Sequence, residues 1–382
     1  MTAVDWKTKE AEMLKLIEEI VNIDSGTFVK SGVDQVGRIF AREYEALGFH
    51  VHIDKQTERG DNLLITHPEA THPEILIIGH MDTVFPDGTA KQRPFSRDEK
   101  HLYGPGVFDM KSSLVVTLYA IKHLIETGND AYKNVQIIYN SDEEVGSVHS
   151  RKLIEEHART KKYALIVEPS DENGTLITGR RGGGKYYLTV TGVAAHSGAE
   201  PEKGRSAIHE LAHKIIKLHA LTRPEEGIHV NVGVIGGGTS SNTIAPNAYA
   251  YIDVRMETRQ QAEELDAKIH EICSQVDIPG TSLELKGGIT RPPMIKTEAT
   301  ERLLKIVQEE ALKLGEVLTD KKVGSGSDGN LTAALGIATI DSLGPRGGKA
   351  HSAEEYLIID SLIPRTKLLV NVIQRLSHSS LK

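Results

Sequence analysis

The sequence predicts an α/β fold, in which a layered domain built from two separated stretches of chain is interrupted by a smaller α+β domain. Three observations carry this expectation. The chain has 382 residues, beyond the size at which one hydrophobic core usually stops growing, so two domains are expected. Short β-branched runs alternate with amphipathic stretches before Gly179 and again after Pro293, as in an α/β layer. Between them the order of elements changes to β-α-β-β-α-β, that of a ferredoxin-like domain.

Taken in order, residues 8 to 22 set Met13, Leu16, Ile17, Ile20 and Val21 on one helical face, and 34 to 47 repeat the pattern until Gly48 stops it. Residues 61 to 66, 75 to 79, 135 to 140 and 164 to 167 read as strands, with a helix near 110 to 127 between two of them. After Gly179 the segment RRGGGKYYLTVTG opens a strand, and 204 to 220 reads as a helix. Strands at 228 to 236 and 247 to 256, a helix at 259 to 274 and a strand at 281 to 288 follow. This predicts one antiparallel sheet with both helices on one face. Pro292 and Pro293 punctuate its end, and alternation resumes with a helix at 298 to 314, a strand at 338 to 343 and a last helix from about 359. The expected domains are 1–179 and 293–382 for the layered part and 180–292 for the insertion.

Composition narrows the functional classes. With 39% hydrophobic and 26% charged residues the chain is an ordinary globular sequence and not a disordered one. The net charge of -8 is spread along the chain without a lysine or arginine stripe, so nucleic acid is not an expected partner. No apolar run approaches a membrane span, and MTAVDWKTKEAEMLKLIEEI mixes acids with bases instead of forming a secretory leader, so no membrane association is expected. The single Cys273 cannot form an intrachain disulfide, which suits a reducing compartment, and the expected location is cytoplasmic.

Acids and histidines gather where the predicted strands end. His80 and Asp82 lie two apart after the strand at 75 to 79 and should point the same way, so Asp82 is placed to take the second ring proton of a metal-bound His80. Alone, the triplet is a weak signal that more often marks a solvated strand end. Asp109, in the glycine-bearing loop GPGVFDMK, stands just before a helix, where an N-cap is the plain alternative. Glu143 and Glu144, in SDEEVGS, follow another apolar strand, and adjacent carboxylates at a buried strand end repel unless a cation or proton compensates. Glu168 ends the strand at 164 to 167, and His351 follows the loop GPRGGKAHS. In an open α/β sheet ligands bind at the carboxyl ends of the strands, so these positions converge. Five ligands serve two divalent metals if one carboxylate and one water bridge ions about 3.5 to 4 Å apart.

Together HMDTVFP, GPGVFDMK, SDEEVGS, EPS and AHS resemble, over nearly the whole chain, the motifs of the aminoacylase and glutamate carboxypeptidase family of dinuclear zinc metallopeptidases. The HMDTVFP form and the GSGSDG loop look most similar to the glutamate carboxypeptidase branch. The resemblance implies a zinc-peptidase-like catalytic domain, its mixed sheet sandwiched by helices, and an inserted domain that serves as lid and homodimer surface. It implies one ion on His80 and Glu168, the other on Glu144 and His351, with Asp109 bridging and Glu143 as general base towards a metal-bridging water. The ions would be Zn2+, although mixed imidazole and carboxylate ligands also suit Co2+ or Mn2+. His196 in AAHSG would support the oxyanion in a partner's active site. Asn242, Arg255 and the Gly324 to Gly329 loop, with Gly326 and Ser327, would grip the substrate carboxylate, and Arg291 is a further candidate. The chain departs from the family pattern at Ser112 and Ser113, where glycines are common, which bears on local packing.

The expected activity is cleavage of an amide next to a C-terminal amino acid, glutamate among them, in a small peptide. N-acyl-amino-acid deacylation and dipeptide hydrolysis are the alternatives within the family. A non-catalytic metal-binding or peptide-binding protein on the same fold is a rival against which the intact Glu143 speaks. Gly324 to Gly329 also spells the dinucleotide fingerprint, so a nucleotide-binding oxidoreductase is a remote alternative that would leave every metal motif unexplained.

Overall fold

The computed structural model describes residues 5–379. The chain divides into two compact units, one formed by Met1–Gly179, Lys296–Lys322 and Ser327–Lys382, the other by Arg180–Ile295 and Val323–Gly326. Helices α1 (Trp6–Val21) and α2 (Lys30–Ala46) lead into β1 (His50–Asp54), β2 (Asn62–Thr66) and β3 (Ile75–His80). The short α3 (Thr89–Gln92), β4 (Ser96–Arg97) and β5 (His101–Tyr103) precede α4 (Ser112–Glu126), β6 (Val135–Asn140), α5 (Arg151–Ala158), β7 (Tyr163–Ile166) and β8 (Leu176–Arg180). Next come β9 (Gly182–Thr191), α6 (Ala207–His219), β10 (His229–Gly237), β11 (Asn247–Met256), α7 (Arg259–Ser274) and β12 (Ser282–Arg291). The chain closes with α8 (Glu298–Lys313), β13 (Asp320–Val323), α9 (Gly329–Ala334), β14 (Ala338–Ile340), β15 (Gly347–Gly348), β16 (Tyr356–Ile358) and α10 (Leu362–Ser379).

In the first unit a six-stranded sheet runs β1-β2-β6-β3-β7-β14. Its β6, β3, β7 and β14 are mutually parallel, while β1 and β2 form an antiparallel edge. Every residue of β3 is buried, because both faces of the sheet are covered. Ile75 and Ile77 join the core that includes Ile17 of α1, Phe40 of α2, Val116 of α4 and Leu369 of α10. Leu76 and Ile78 face the opposite core with Ile154 of α5 and Leu331 of α9. The carboxyl ends of four neighbouring parallel strands therefore open on one rim.

A small antiparallel sheet, β15-β16-β5-β4, was not visible in the sequence, because strands of two or three residues leave no period to read. The loop from Gly324 to Gly329 follows β13, which pairs with β8 in a two-stranded ladder and not with the parallel sheet. The dinucleotide reading needs a strand of that sheet feeding a full helix, whereas α9 has six residues, so the fingerprint is a match of spelling alone.

The second unit is ferredoxin-like, with fully antiparallel order β10-β11-β9-β12. Strand β11 alternates, burying Ala248, Ala250, Ile252 and Val254 with Leu188 and Val190 of β9 and with Leu211 of α6 and Leu265 of α7. The other face carries the rings of Tyr187, Tyr249 and Tyr251, with Tyr187 and Tyr251 centroids 4.7 Å apart. Helix α6 also buries Glu210 and Lys214, whose side chains are both 0% exposed and form an ion pair of 2.8 Å.

Candidate metal centre

Each expected ligand comes from a place where the main chain has just left the sheet or a tight loop. His80 is the last residue of β3, Glu143 and Glu144 lie in the turn after β6, and Glu168 lies two residues beyond β7. Asp109 precedes α4, across a cis peptide to Met110, and His351 sits in the loop after β15 with φ of 62°, in the left-handed region that histidine tolerates better than most side chains.

These residues converge. His80 Nε2 lies 3.1 Å from Asp109 Oδ1 and 3.7 Å from a Glu168 oxygen. On the other side, His351 Nε2 lies 3.3 Å from Asp109 Oδ2 and 3.1 Å from a Glu144 oxygen. Asp109 thus turns one carboxylate oxygen to each histidine. Two donor triads, His80 with Asp109 and Glu144, and His80 with Glu143 and Glu168, have ligand atoms within 4.8 Å of one another.

The donors are held from behind. The Nδ1 of His80 lies 2.9 Å from the main-chain oxygen of Asp82, which fixes Nδ1–H as the donor and turns Nε2 towards the cluster. The Asp82 carboxylate is 3.4 Å from the same ring nitrogen. Its nearer donors are the Thr27 hydroxyl at 2.6 Å and the amides of Glu143 and Glu144 at 3.2 and 3.3 Å. One buried side chain therefore ties the β3 end to the acidic turn after β6. Glu355, which the sequence reading missed among the polar residues after His351, accepts the amides of Gly106, Phe108 and Asp109. The only advance signal was that a glycine-bearing loop exposes amides that need an acceptor.

Ser113, one of the two departures from the family pattern, is fully buried against Gly344. A Cβ at Gly344 would stand 2.3 Å from the Ser113 hydroxyl and 2.8 Å from the Glu168 carbonyl, so the larger residue is accommodated because its neighbour has no side chain. Ser112 donates its hydroxyl to the Val107 carbonyl.

Electrostatically the cluster is short of positive charge. Burial pushes the carboxyls of Glu144 and Glu168 up to about 7. Burial would also raise Asp109, but His351 and His80 hold it well below the usual carboxylate range. Asp109 and Glu144 draw the His351 imidazole up to about 10. Burial opposes the charge on His80, yet Glu168 and Asp109 keep its pKa well above the ordinary value. Oε1 of Glu144 is buried with no hydrogen-bond partner among the described residues. An orphaned carboxylate oxygen, two convergent imidazoles and acids that titrate high fit divalent cations at this place.

The remaining expected residues belong to other parts of the chain. His196 is exposed, and its Nδ1 accepts the amides of Gly198 and Ala199 at 3.1 and 3.2 Å. Asn242 is its neighbour in the second unit, since the Ser197 amide donates to the Asn242 carbonyl and His196 bridges to Thr243. The Arg255 fork lies on Asp253, with bonds of 2.9 and 3.0 Å. Arg291 is buried at the end of β12. The Gly326 carbonyl lies 3.4 Å from the Arg180 guanidinium, and the buried Ser327 hydroxyl donates to Asp341 while accepting the Gly329 amide.

Comparison with known proteins gives the family of the chain. Carboxypeptidase G2 of Pseudomonas sp. (strain RS-16) is 29% identical over 361 residues, which covers 94% of this chain and 87% of that protein. Succinyl-diaminopimelate desuccinylase of Stenotrophomonas maltophilia (strain R551-3) is 28% identical over 336 residues, 83% of this chain and 87% of that protein. Among solved structures, aminopeptidase PepT from Bacillus cereus ATCC 10987 superposes with a TM-score of 0.76 at 25% identity, covering 96% of this chain and 98% of that one. The pattern of Peptidase family M20/M25/M40 matches residues 76–375, from the strand that presents His80 to the last helix. The chain belongs to that family and is a hydrolase.

Proposed function

We propose that this protein hydrolyses the amide bond next to a C-terminal amino acid, glutamate among them, with two divalent ions per chain, zinc being the first choice. The observation that carries the reading is Asp109, with one oxygen 3.1 Å from His80 and the other 3.3 Å from His351. That split suits a carboxylate shared by two ions, with Glu168 completing the His80 side and Glu144 the His351 side. When bound, the ions would polarise the scissile carbonyl and lower the pKa of an attacking water.

Glu143 is then the proton carrier. Its carboxylate lies in the donor triad with His80 and Glu168, and its amide is fixed by Asp82. It takes the proton of the water and returns it to the departing nitrogen, so one carboxyl serves both steps. The family resemblance assigns oxyanion support to His196 of a partner subunit, and the substrate carboxylate to Arg255 with Asn242 and Arg291. Mixing a His196→Ala protein with a Glu143→Ala protein should then restore activity in hybrid dimers.

A second reading, removal of an acyl group from an N-acyl amino acid, is favoured by the similarity to a desuccinylase. The test is amine release from C-terminal-glutamate peptides, other dipeptides, N-acetyl and N-succinyl amino acids, with chelated protein before and after zinc, cobalt or manganese is restored. Metal-restored release of glutamate supports the first reading. Release only from N-acyl amino acids moves the assignment to the second, and no metal-dependent release from any of them overturns both.

A further inference from the structure

We infer that His209 and His213 form a separate surface chelate for one late first-row dication, of the zinc or copper(II) class. The pair lies on α6 in the second unit and shares no residue with the strand-end cluster. Residues four apart on a helix stand one turn above each other on the same face. Here the two rings are 4.9 Å apart between centroids, and the two Nε2 atoms approach to 3.3 Å. Two nitrogens bound at about 2.0 to 2.1 Å to a tetrahedral ion lie about 3.4 Å from each other. The observed separation is therefore already that of two ligands on one ion.

In the single chain the pair is accessible, and packing holds its helix in place. His209 is exposed and His213 half-buried. The opposite face of α6 is anchored by buried Ala207, Leu211, Lys214 and Leu218, and Ser206 caps its first turn through the His209 amide. The cations one turn away on either side point to other partners. Arg205 donates to the carbonyls of Glu202 and Gly204, and Lys217 pairs with Asp277. Imidazole suits zinc, nickel and copper, and among these copper(II) binds a given nitrogen site most tightly. Water completes the coordination, so the ion is held more weakly than one with three or four protein donors.

A hydrogen bond between two neutral rings also accounts for the 3.3 Å approach, and metal titration separates the two. Tag-free protein carrying whatever metal survives gel filtration is titrated with zinc by calorimetry and with copper(II) by electron paramagnetic resonance. The expected result is one further equivalent per chain with a two-nitrogen copper signal, lost in both His209→Ala and His213→Ala. Both variants should keep the wild-type melting temperature without added metal and the wild-type rate on the best amide substrate, which shows that they fold. The inference is overturned if the wild type takes up no further equivalent, or if that equivalent survives in either variant.

Discussion

Glu210 in the second unit and Glu168 in the first are both enclosed carboxylates, and the chain has surrounded them differently. Glu210 meets the Lys214 ammonium at 2.8 Å and accepts the amides of Asp277 and Ile278. Burial works against its charge, but Lys214 and these amides prevail and its pKa is lowered. Glu168 has His80 at 3.7 Å, shared with Asp109, and burial drives its pKa up to about 7. Glu210 therefore has its counter-charge supplied by the second unit itself. The strand-end cluster keeps its donors aligned while its charge stays uncompensated, which is the condition of a site that takes its positive charge from outside.

The contrast can be broken at several points. The largest expected effect is on chemistry: Glu143→Gln should lower kcat by about 10^2 to 10^4 while bound metal, measured by emission spectroscopy, stays at the wild-type level. Loss of metal together with rate would make Glu143 a ligand instead. In the second unit the effect should fall on stability. Lys214→Met leaves Glu210 buried without its ammonium and should cost about 3 to 5 kcal/mol in denaturant unfolding, with the rate of the folded fraction unchanged. Adding Glu210→Gln should recover part of that loss.

Glu355→Gln should sit between these two, because it disturbs the amides that hold Asp109 without touching a donor. Metal affinity by chelator competition should fall about 10- to 100-fold, and excess metal should restore most of the rate. The dependence on pH sharpens the same point. In metal-free protein the carboxyls of Glu144 and Glu168, near 7, and the imidazole of His351, near 10, lie above their ordinary values of 4.5 and 6.5. Groups with raised folded pKa stabilise fully below the unfolded value, and that contribution is lost as pH rises through the folded one. Metal-free protein should therefore weaken as pH rises from about 5 to about 10, and the difference in melting temperature from the metal-loaded form should widen. A constant difference would mean that these groups do not titrate in the folded state. The smallest effect on stability is expected at Arg255, whose pair with Asp253 is 39% exposed on both sides. Arg255→Ala should change stability by less than about 1 kcal/mol, and a roughly tenfold rise in KM for substrates with a free carboxylate would identify it as the gripping residue.

What the sequence made legible follows from distance along the chain. The helix α1 and the strands β3 and β6 were readable because their periods lie within a few consecutive residues. His80, Asp109, Glu143, Glu144, Glu168 and His351, which the structure brings together, were singled out because strand ends and glycine-bearing loops mark them locally, and because their motifs resemble a family. What remained hidden was reciprocal. Glu355 acquires meaning only beside the amides at Gly106 to Asp109, and Ser113 only beside Gly344. The role of Asp82 was divided in a way that no spacing rule foresees, its carbonyl going to His80 and its carboxylate to the acidic turn.

The bond from the Asp109 amide to Glu355 joins residues 246 positions apart. On a ribosome adding about 5 to 20 residues per second, the loop that carries Asp109 emerges roughly ten to fifty seconds before its acceptor exists. During that interval the second unit, whose strands pair only among themselves, can complete its sheet. The nascent chain meanwhile holds His80, Asp109 and the acidic turn without His351. Both donor triads around His80 lie within the first 168 residues, so His351 is the one expected donor that arrives late, and the full set can assemble only when nearly the whole chain has been made.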